Sequence, residues 1–230
     1  MVGTQQNPIF HSIDLGIVEY RVALELQREF VASRKQNYIS DLFLLLEHYP
    51  VITTGRFNGL EDIKLPVEEL SQQGIPVVRT NRGGSATYHG PGQLVGYPVI
   101  NLRDNRLGVR EYIRKLEATI IRVLARWGIS GHRIEPYPGG IWVADKKICS
   151  IGIHVTQQIA MHGFAINVCN DLSYFDYINP CGLQSDVMTS ISKIMGKIAN
   201  VSQLKTELVE DFSEEFGKQH RGEISINALR

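Results

Sequence analysis

Three apolar stretches separated by brief polar breaks follow one another between Gly140 and Val168: GIWVA, KICSIGIHV and IAMHGFAINV. The breaks are Asp145-Lys146 and Thr156-Gln157-Gln158. Connections this short join antiparallel neighbours, because a parallel return needs a crossover of roughly a dozen residues. The segment therefore reads as an antiparallel meander. Upstream, DLFLLLEH at 41–48 is a compact apolar run that ends at Tyr49-Pro50, the pattern of a buried central strand. Helical spacing predicts a helix within 17–34, on Ala23, Leu26 and Phe30, and a clearer one over 109–127, from Val109 through Tyr112, Leu116, Ile120 and Val123, with Gly128 as its stop. A last helix over about 202–216 places Leu204, Leu208, Phe212 and Phe216 at strict fours, behind an Asn200/Gln203 capping pattern. Strands and helices do not alternate regularly, so the class is α+β, a mixed sheet flanked by helices. No repeat or linker divides the chain, which is expected to form one domain over 1–230 with its core at about 10–217. The termini beyond these elements carry no pattern.

Composition removes several function classes. Apolar residues make up 43% and charged residues 21%, which excludes disordered, collagen-like and coiled-coil chains. The 24 basic and 24 acidic residues cancel, so no global field draws the chain to nucleic acid or to a membrane surface. The first residues lack a secretory leader, and no apolar run approaches the ~20 residues of a membrane span; a cytoplasmic protein is expected. Charge is uneven over 79–115, where Arg79, Arg82, Arg103, Arg106, Arg110, Arg114 and Lys115 oppose Asp104 and Glu111. That excess fits either a solvated helix face or a docking surface for an acidic protein.

The stretch RGGSATYHGPGQLVGYP, 82–98, holds five glycines and two prolines and no acid. Gly83-Gly84 lets the backbone turn and leaves main-chain amides unshielded. It has neither the spacing of a phosphate loop nor that of a dinucleotide fingerprint, so it suggests a ligand-lining loop, or a tight connection, but no nucleotide. In KICSIGIHV, strand alternation puts Lys147, Cys149, Ile151 and Ile153 on one face and Ile148, Ser150, Gly152 and His154 on the other. A lysine in that company either snorkels to water from the strand's first residue or, partly buried, becomes a candidate base. The cysteines are Cys149, Cys169 and Cys181, an odd number with no CxxC pair, which argues against a disulfide scaffold and against cysteine-held zinc. Cys149 and Cys169 read as inert core thiols. Cys181, in the loop INPCGLQSD, is the best nucleophile: Pro180 fixes its approach and Gly182 offers a bare amide to a developing oxyanion. His89 and His162 each precede a glycine, and either one alone reads as a hydrogen-bonded structural histidine. No HxxxH or HExxH spacing occurs, so no metal is expected.

With RGGSATYHGPGQLVGYP, KKICSIG, MHGFAIN and NPCG in that order, the chain resembles the lipoyl(octanoyl)transferases of bacterial lipoate synthesis over about residues 10–195. The resemblance implies a fold like the catalytic domains of lipoate and biotin protein ligases. It implies octanoyl transfer, without a cofactor, from octanoyl-acyl carrier protein to a lysine of lipoyl domains. Those domains belong to the E2 subunits of 2-oxo-acid dehydrogenases and to the glycine cleavage H protein. It makes Cys181 the acyl-accepting residue and Lys147 its partner. Substrate-lining positions fall on Arg82, Gly83, Gly84, Ser85, Ala86, Thr87, Tyr88 and His89, on Ser150, Ile151 and Gly152, and on Gly163, Phe164 and Ala165. His162 is expected to stand behind that wall. A thioester donor suits a thiol acceptor, since exchange between thiols is nearly isoenergetic, and a nearby lysine favours the thiolate of a group whose ordinary pKa is ~8.5. The alternatives are an ATP-dependent lipoate protein ligase of the same fold, which needs no such cysteine, a cysteine hydrolase pairing Cys181 with His162, and a non-catalytic acyl-binding module.

Overall fold

The computed structural model describes residues 8–57, 60–134, 139–180 and 183–229. The first half runs β1 (Ile9–Val18), α1 (Tyr20–Lys35), β2 (Asp41–His48), β3 (Val51–Thr54), α2 (Val67–Gln72), β4 (Val77–Arg79), β5 (Ala86–His89) and β6 (Gln93–Asn101). The second half runs α3 (Val109–Arg126), β7 (Gly140–Val143), β8 (Lys146–Thr156), β9 (Ile159–Asn167), α4 (Ile191–Met195), α5 (Val201–Phe216) and β10 (Gln219–Glu223). Seven strands form the larger sheet in the order β10-β1-β2-β6-β9-β8-β7, and β4-β3-β5 form a smaller one.

The continuous apolar character of β2 follows from its place inside the sheet. Leu42, Leu44 and Leu46 point to one face, where Ala23, Leu26 and Phe30 of α1 cover them. Phe43 and Leu45 point to the other, into a core closed by Tyr112, Leu116 and Ile120 of α3 and by Leu204, Leu208 and Phe212 of α5. Full burial of each such side chain contributes roughly 1.5–3 kcal/mol, so the three helices are held mainly by this layer packing. Asn200 caps α5, its side chain accepting from the Gln203 amide at 3.2 Å; α3 stops at Trp127, and Gly128 takes a φ of 72°. The meander is antiparallel throughout, and Gln157 and Gln158 both adopt positive φ in the β8–β9 turn, as a two-residue hairpin connection requires.

Two features depart from the sequence-based expectation. Two segments to which no element was assigned are strands: β1 pairs in parallel with both β2 and β10, and together they close one edge of the sheet. The glycine stretch is not all loop either, because Ala86–His89 is β5, antiparallel to β3.

Candidate active site

The pocket begins where a ladder opens. β6 and β9 pair from Gln93↔Asn167 to Gly96↔Phe164 and again from Ile100↔Ala160, skipping Tyr97–Val99 and Met161–Gly163. Pro98 sits in that gap and has no amide to donate. His162, opposite it, has a φ of 57° and sends its amide to Gln27 Oε1 of α1 at 2.8 Å. Glycine lets the remaining walls close in. A Cβ on Gly163 would lie 2.1 Å from the Gly96 carbonyl oxygen, and one on Gly152, its partner in β8, would lie 2.8 Å from that of Gly83. The glycine loop thus rests on β8, the Gly83 amide donating to the Ile153 carbonyl at 2.9 Å.

A cleft of about 460 Å³, counted with its open side, remains between these parts. The loop contributes Arg82, Gly83, Gly84, Thr87 and His89; β8 contributes Ser150, Ile151 and Gly152; β9 contributes His162, Gly163, Phe164 and Ala165. His162 is therefore part of the wall rather than behind it. Ala86 and Tyr88 do not line the cleft, because alternation along β5 turns them into a separate core with Phe175 and Ile178. Ser85 is also outside it, its hydroxyl donating to Asp62. Sequence reasoning gave no role to Tyr20, Tyr97 or Gly139, which complete the lining. Tyr97 lay within the quoted glycine stretch, but nothing in the sequence pointed its ring at His162, which it meets edge-on at 6.2 Å between centroids.

Behind the lining runs a buried chain of neutral groups ending on one cation. Arg82 Nη2 donates to the Thr53 carbonyl at 2.7 Å and to Thr53 Oγ1 at 2.9 Å. Thr53 Oγ1 lies 3.4 Å from His89 Nε2, and His89 Nδ1 lies 2.7 Å from Gln93 Oε1. With the Gln93 oxygen accepting, His89 carries its proton on Nδ1. Gln93 Nε2 donates to Asn167 Oδ1 at 2.9 Å, and Asn167 Nδ2 to the Thr189 carbonyl at 3.0 Å. His48 bonds the Tyr97 hydroxyl at 2.9 Å. Burial disfavours the imidazolium form and pushes His48 down to about 4, His162 to about 3 and His89 well below its ordinary value. The lining polar groups are uncharged at neutral pH apart from Arg82, and an apolar ligand meets few ions.

Lys147 stands where the sequence called for a reactive group, but on another face. The β7–β8 pairing shifts between Ile141↔Cys149 and Trp142↔Lys147, leaving Ile148 as an extra residue. Such a bulge breaks alternation. Ile148 and Cys149 both enter the core under α3, while Lys147 turns to Gly140, whose Cβ position lies 2.5 Å from Lys147 Cε and 3.2 Å from Nζ. Gly140 pairs with Ser150 of the cleft. Lys147 is buried and makes no ion pair with any described residue. Cys181 and Gly182 lie outside the described residues. The chain on one side of them is tied by the Asn179 amide to the Asp62 carbonyl at 2.7 Å; on the other, Met188 bridges Lys147 and the Thr189 amide donates to the Lys147 carbonyl at 2.9 Å.

The other thiols separate cleanly. Cys149 is buried, and burial raises its pKa far above the ordinary thiol value, as an inert core residue requires. Cys169 is exposed, contrary to its reading as a core thiol, because it follows the last residue of β9 and leaves the sheet. The positive run over 79–115 is dispersed by the fold. Arg82 is buried in the cleft wall, Lys115 faces Glu215 at 3.9 Å, and Arg110 and Arg114 lie on α3, across the sheet from α1. Among the described residues no three His, Cys, Asp or Glu side chains converge as a metal site would need.

The profile of the lipoyl protein ligase A/B catalytic domain matches residues 19–213, which takes in the smaller sheet, the whole cleft and the larger sheet apart from its β1 and β10 strands. The fold is that of a lipoate-protein ligase A whose structure was solved with ATP bound: TM-score 0.77, 16% identity, covering 97% of this chain and 92% of that one. Closer in sequence are the octanoyltransferases of Solibacter usitatus, 46% identical over 88% of this chain and 90% of its own, and of Desulforamulus reducens, 39% identical over 88% and 89%. The chain belongs to the lipoyl protein ligase A/B family and, within it, to the octanoyltransferases.

Proposed function

We propose that the protein takes octanoyl from octanoyl-acyl carrier protein onto Cys181 and passes it to a lysine of the lipoyl domains of 2-oxo-acid dehydrogenase E2 subunits and the glycine cleavage H protein. The observation that carries this reading is the bridge from Lys147 to Met188 and Thr189, which holds the chain seven and eight residues beyond Cys181 against the lysine. The Cys181 thiolate attacks the carbonyl carbon of the carrier thioester; that C–S bond breaks and the carrier thiol leaves. An incoming lysine amine then attacks the new thioester, an amide forms, the C–S bond to Cys181 breaks, and the nitrogen's proton passes to the sulfur with Lys147 as relay. A buried ammonium beside the sulfur favours the thiolate before each cycle. The Arg82, Gly83 and Gly84 backbone with Phe164 and Ala165 would hold the chain. No helix among the described residues is long and apolar enough to cross a membrane, and the reading places the reaction in the cytoplasm.

A mixture of the purified protein, octanoyl-acyl carrier protein and a lipoyl domain, without ATP, should give an octanoylated domain; modification that proceeds only from free octanoate with ATP would make the chain a ligase. Lys147→Ala is expected to move the pH profile of Cys181 alkylation by iodoacetamide to higher pH. An unchanged profile removes the lysine from this role.

A further inference from the structure

The cleft has two unlike ends. Gly83, Gly84, Gly139, Ser150, Ile151 and Gly152 are half-buried and frame a mouth, whereas Tyr20, Tyr97, His89 and His162 are buried. Lys147 belongs to the mouth, through Gly140 and its partner Ser150. His162 pairs with Ile153, three residues further along β8 than Ser150, a distance of about 10 Å. An extended eight-carbon acyl chain, seven C–C bonds of about 1.5 Å in a zigzag, is about 9 Å long.

We propose that the His162 imidazole is the stop that sets the longest acyl chain the cleft accepts. The inference rests on the octanoyl-transfer reading above and names the residue that limits the substrate. Beside it the wall is backbone, with Gly163, Gly152 and Gly83 in succession, so past Phe164 the next side chain that β9 presents to the cleft is the His162 ring. Its φ of 57° is a conformation in which glycine would be unstrained, and strain of this kind persists where the side chain is needed. The ring is held by one hydrogen bond, Nε2 to Asn81 Oδ1 at 2.8 Å, and by an edge contact with Tyr97 at 6.2 Å between centroids; Nδ1 has no partner among the described residues. Only one ring nitrogen is engaged, and the other face of the ring is left to meet the cleft. Asn81 is exposed, so the buried ring lies between the cleft and a solvent-facing side chain. Burial keeps it unprotonated, and the end of an alkyl chain meets a neutral surface.

The test is acylation by octanoyl-, decanoyl- and dodecanoyl-acyl carrier protein of the wild type and of His162→Gly and His162→Asn, both of which suit a left-handed backbone. The wild type is expected to prefer octanoyl to dodecanoyl by about tenfold or more. His162→Gly should erase most of that preference, with His162→Asn between the two. An unchanged ratio in His162→Gly overturns the stop, and so does a wild type that takes dodecanoyl as readily as octanoyl, a measurement that needs no variant to fold. Octanoyl transfer with an unaltered ratio sinks the stop alone; a wild type acylated by none of the three sinks the transfer reading and the stop with it.

Discussion

The protein buries two polar clusters, and they are built on opposite plans. At the start of β2, Asp41 accepts from Arg34 Nε at 2.7 Å, Lys218 Nζ at 2.6 Å and Asn105 Nδ2 at 2.8 Å, full charges locked together with the Arg34, Asp41 and Lys218 side chains 9%, 2% and 1% exposed. Beside the cleft, Thr53, His89, Gln93 and Asn167 pass hydrogen bonds among neutral groups, with Arg82 as the single cation at one end. The first cluster ties α1, the turn after β6 and the start of β10 to one carboxylate, a place where nothing needs to enter. The second satisfies its polar atoms against one another, so the cavity it supports stays fit for an alkyl chain. Burying charge demands a partner for each ion, whereas burying neutral groups demands only a complete hydrogen-bond chain.

Substitution should expose that difference. Asp41→Ala strands Lys218, which has no other carboxylate among the described residues, and leaves Arg34 only the half-exposed Asp104; the loss should be about 3–5 kcal/mol in denaturant unfolding. Gln93→Ala leaves the His89 Nδ1 proton without its partner and removes one of the two donors to Asn167 Oδ1, the other being Asn170 Nδ2 at 3.2 Å, an expected loss of about 1–3 kcal/mol. If the two losses were equal, the contrast between charged and neutral clusters would fail. Acid sharpens the contrast in smaller steps. His48 and His162 titrate near 4 and 3 in the folded chain and near 6.5 unfolded, so between those values the unfolded chain binds the extra protons. Their contribution is present above about pH 6.5 and is lost as pH falls towards 4, at about 1.4 kcal/mol per pH unit for each histidine. Thermal unfolding followed from pH 7 to 4.5 should show that slope, and His48→Gln should flatten it.

What the sequence disclosed followed from local periodicity. The meander, β2, α3 and α5 each carry their pattern within a dozen or so residues, and the structure has them within a few residues of the expected bounds. β10, QHRGE, is polar throughout and exists because β1 offers it a parallel edge more than two hundred residues away, which no local pattern encodes. The cleft residues of β8, β9 and the glycine loop were legible as motifs, yet the face of Lys147 was not, because one extra residue at Ile148 reverses the alternation from which it was inferred. Tyr20 and Tyr97 reach the cleft from a helix start and a central strand, and only the folded arrangement brings them together with His89.

Octanoyl transfer by this route requires a thiol that carries the acyl group, and mass spectrometry of the intact protein after mixing with octanoyl-acyl carrier protein detects that thioester. One octanoyl adduct is expected, mapped to Cys181, absent in Cys181→Ser, present when Cys149 or Cys169 is replaced by Ser, and discharged on addition of a lipoyl domain. Transfer to the lipoyl domain by Cys181→Ser at the wild-type rate, or an adduct released to water alone, would contradict it.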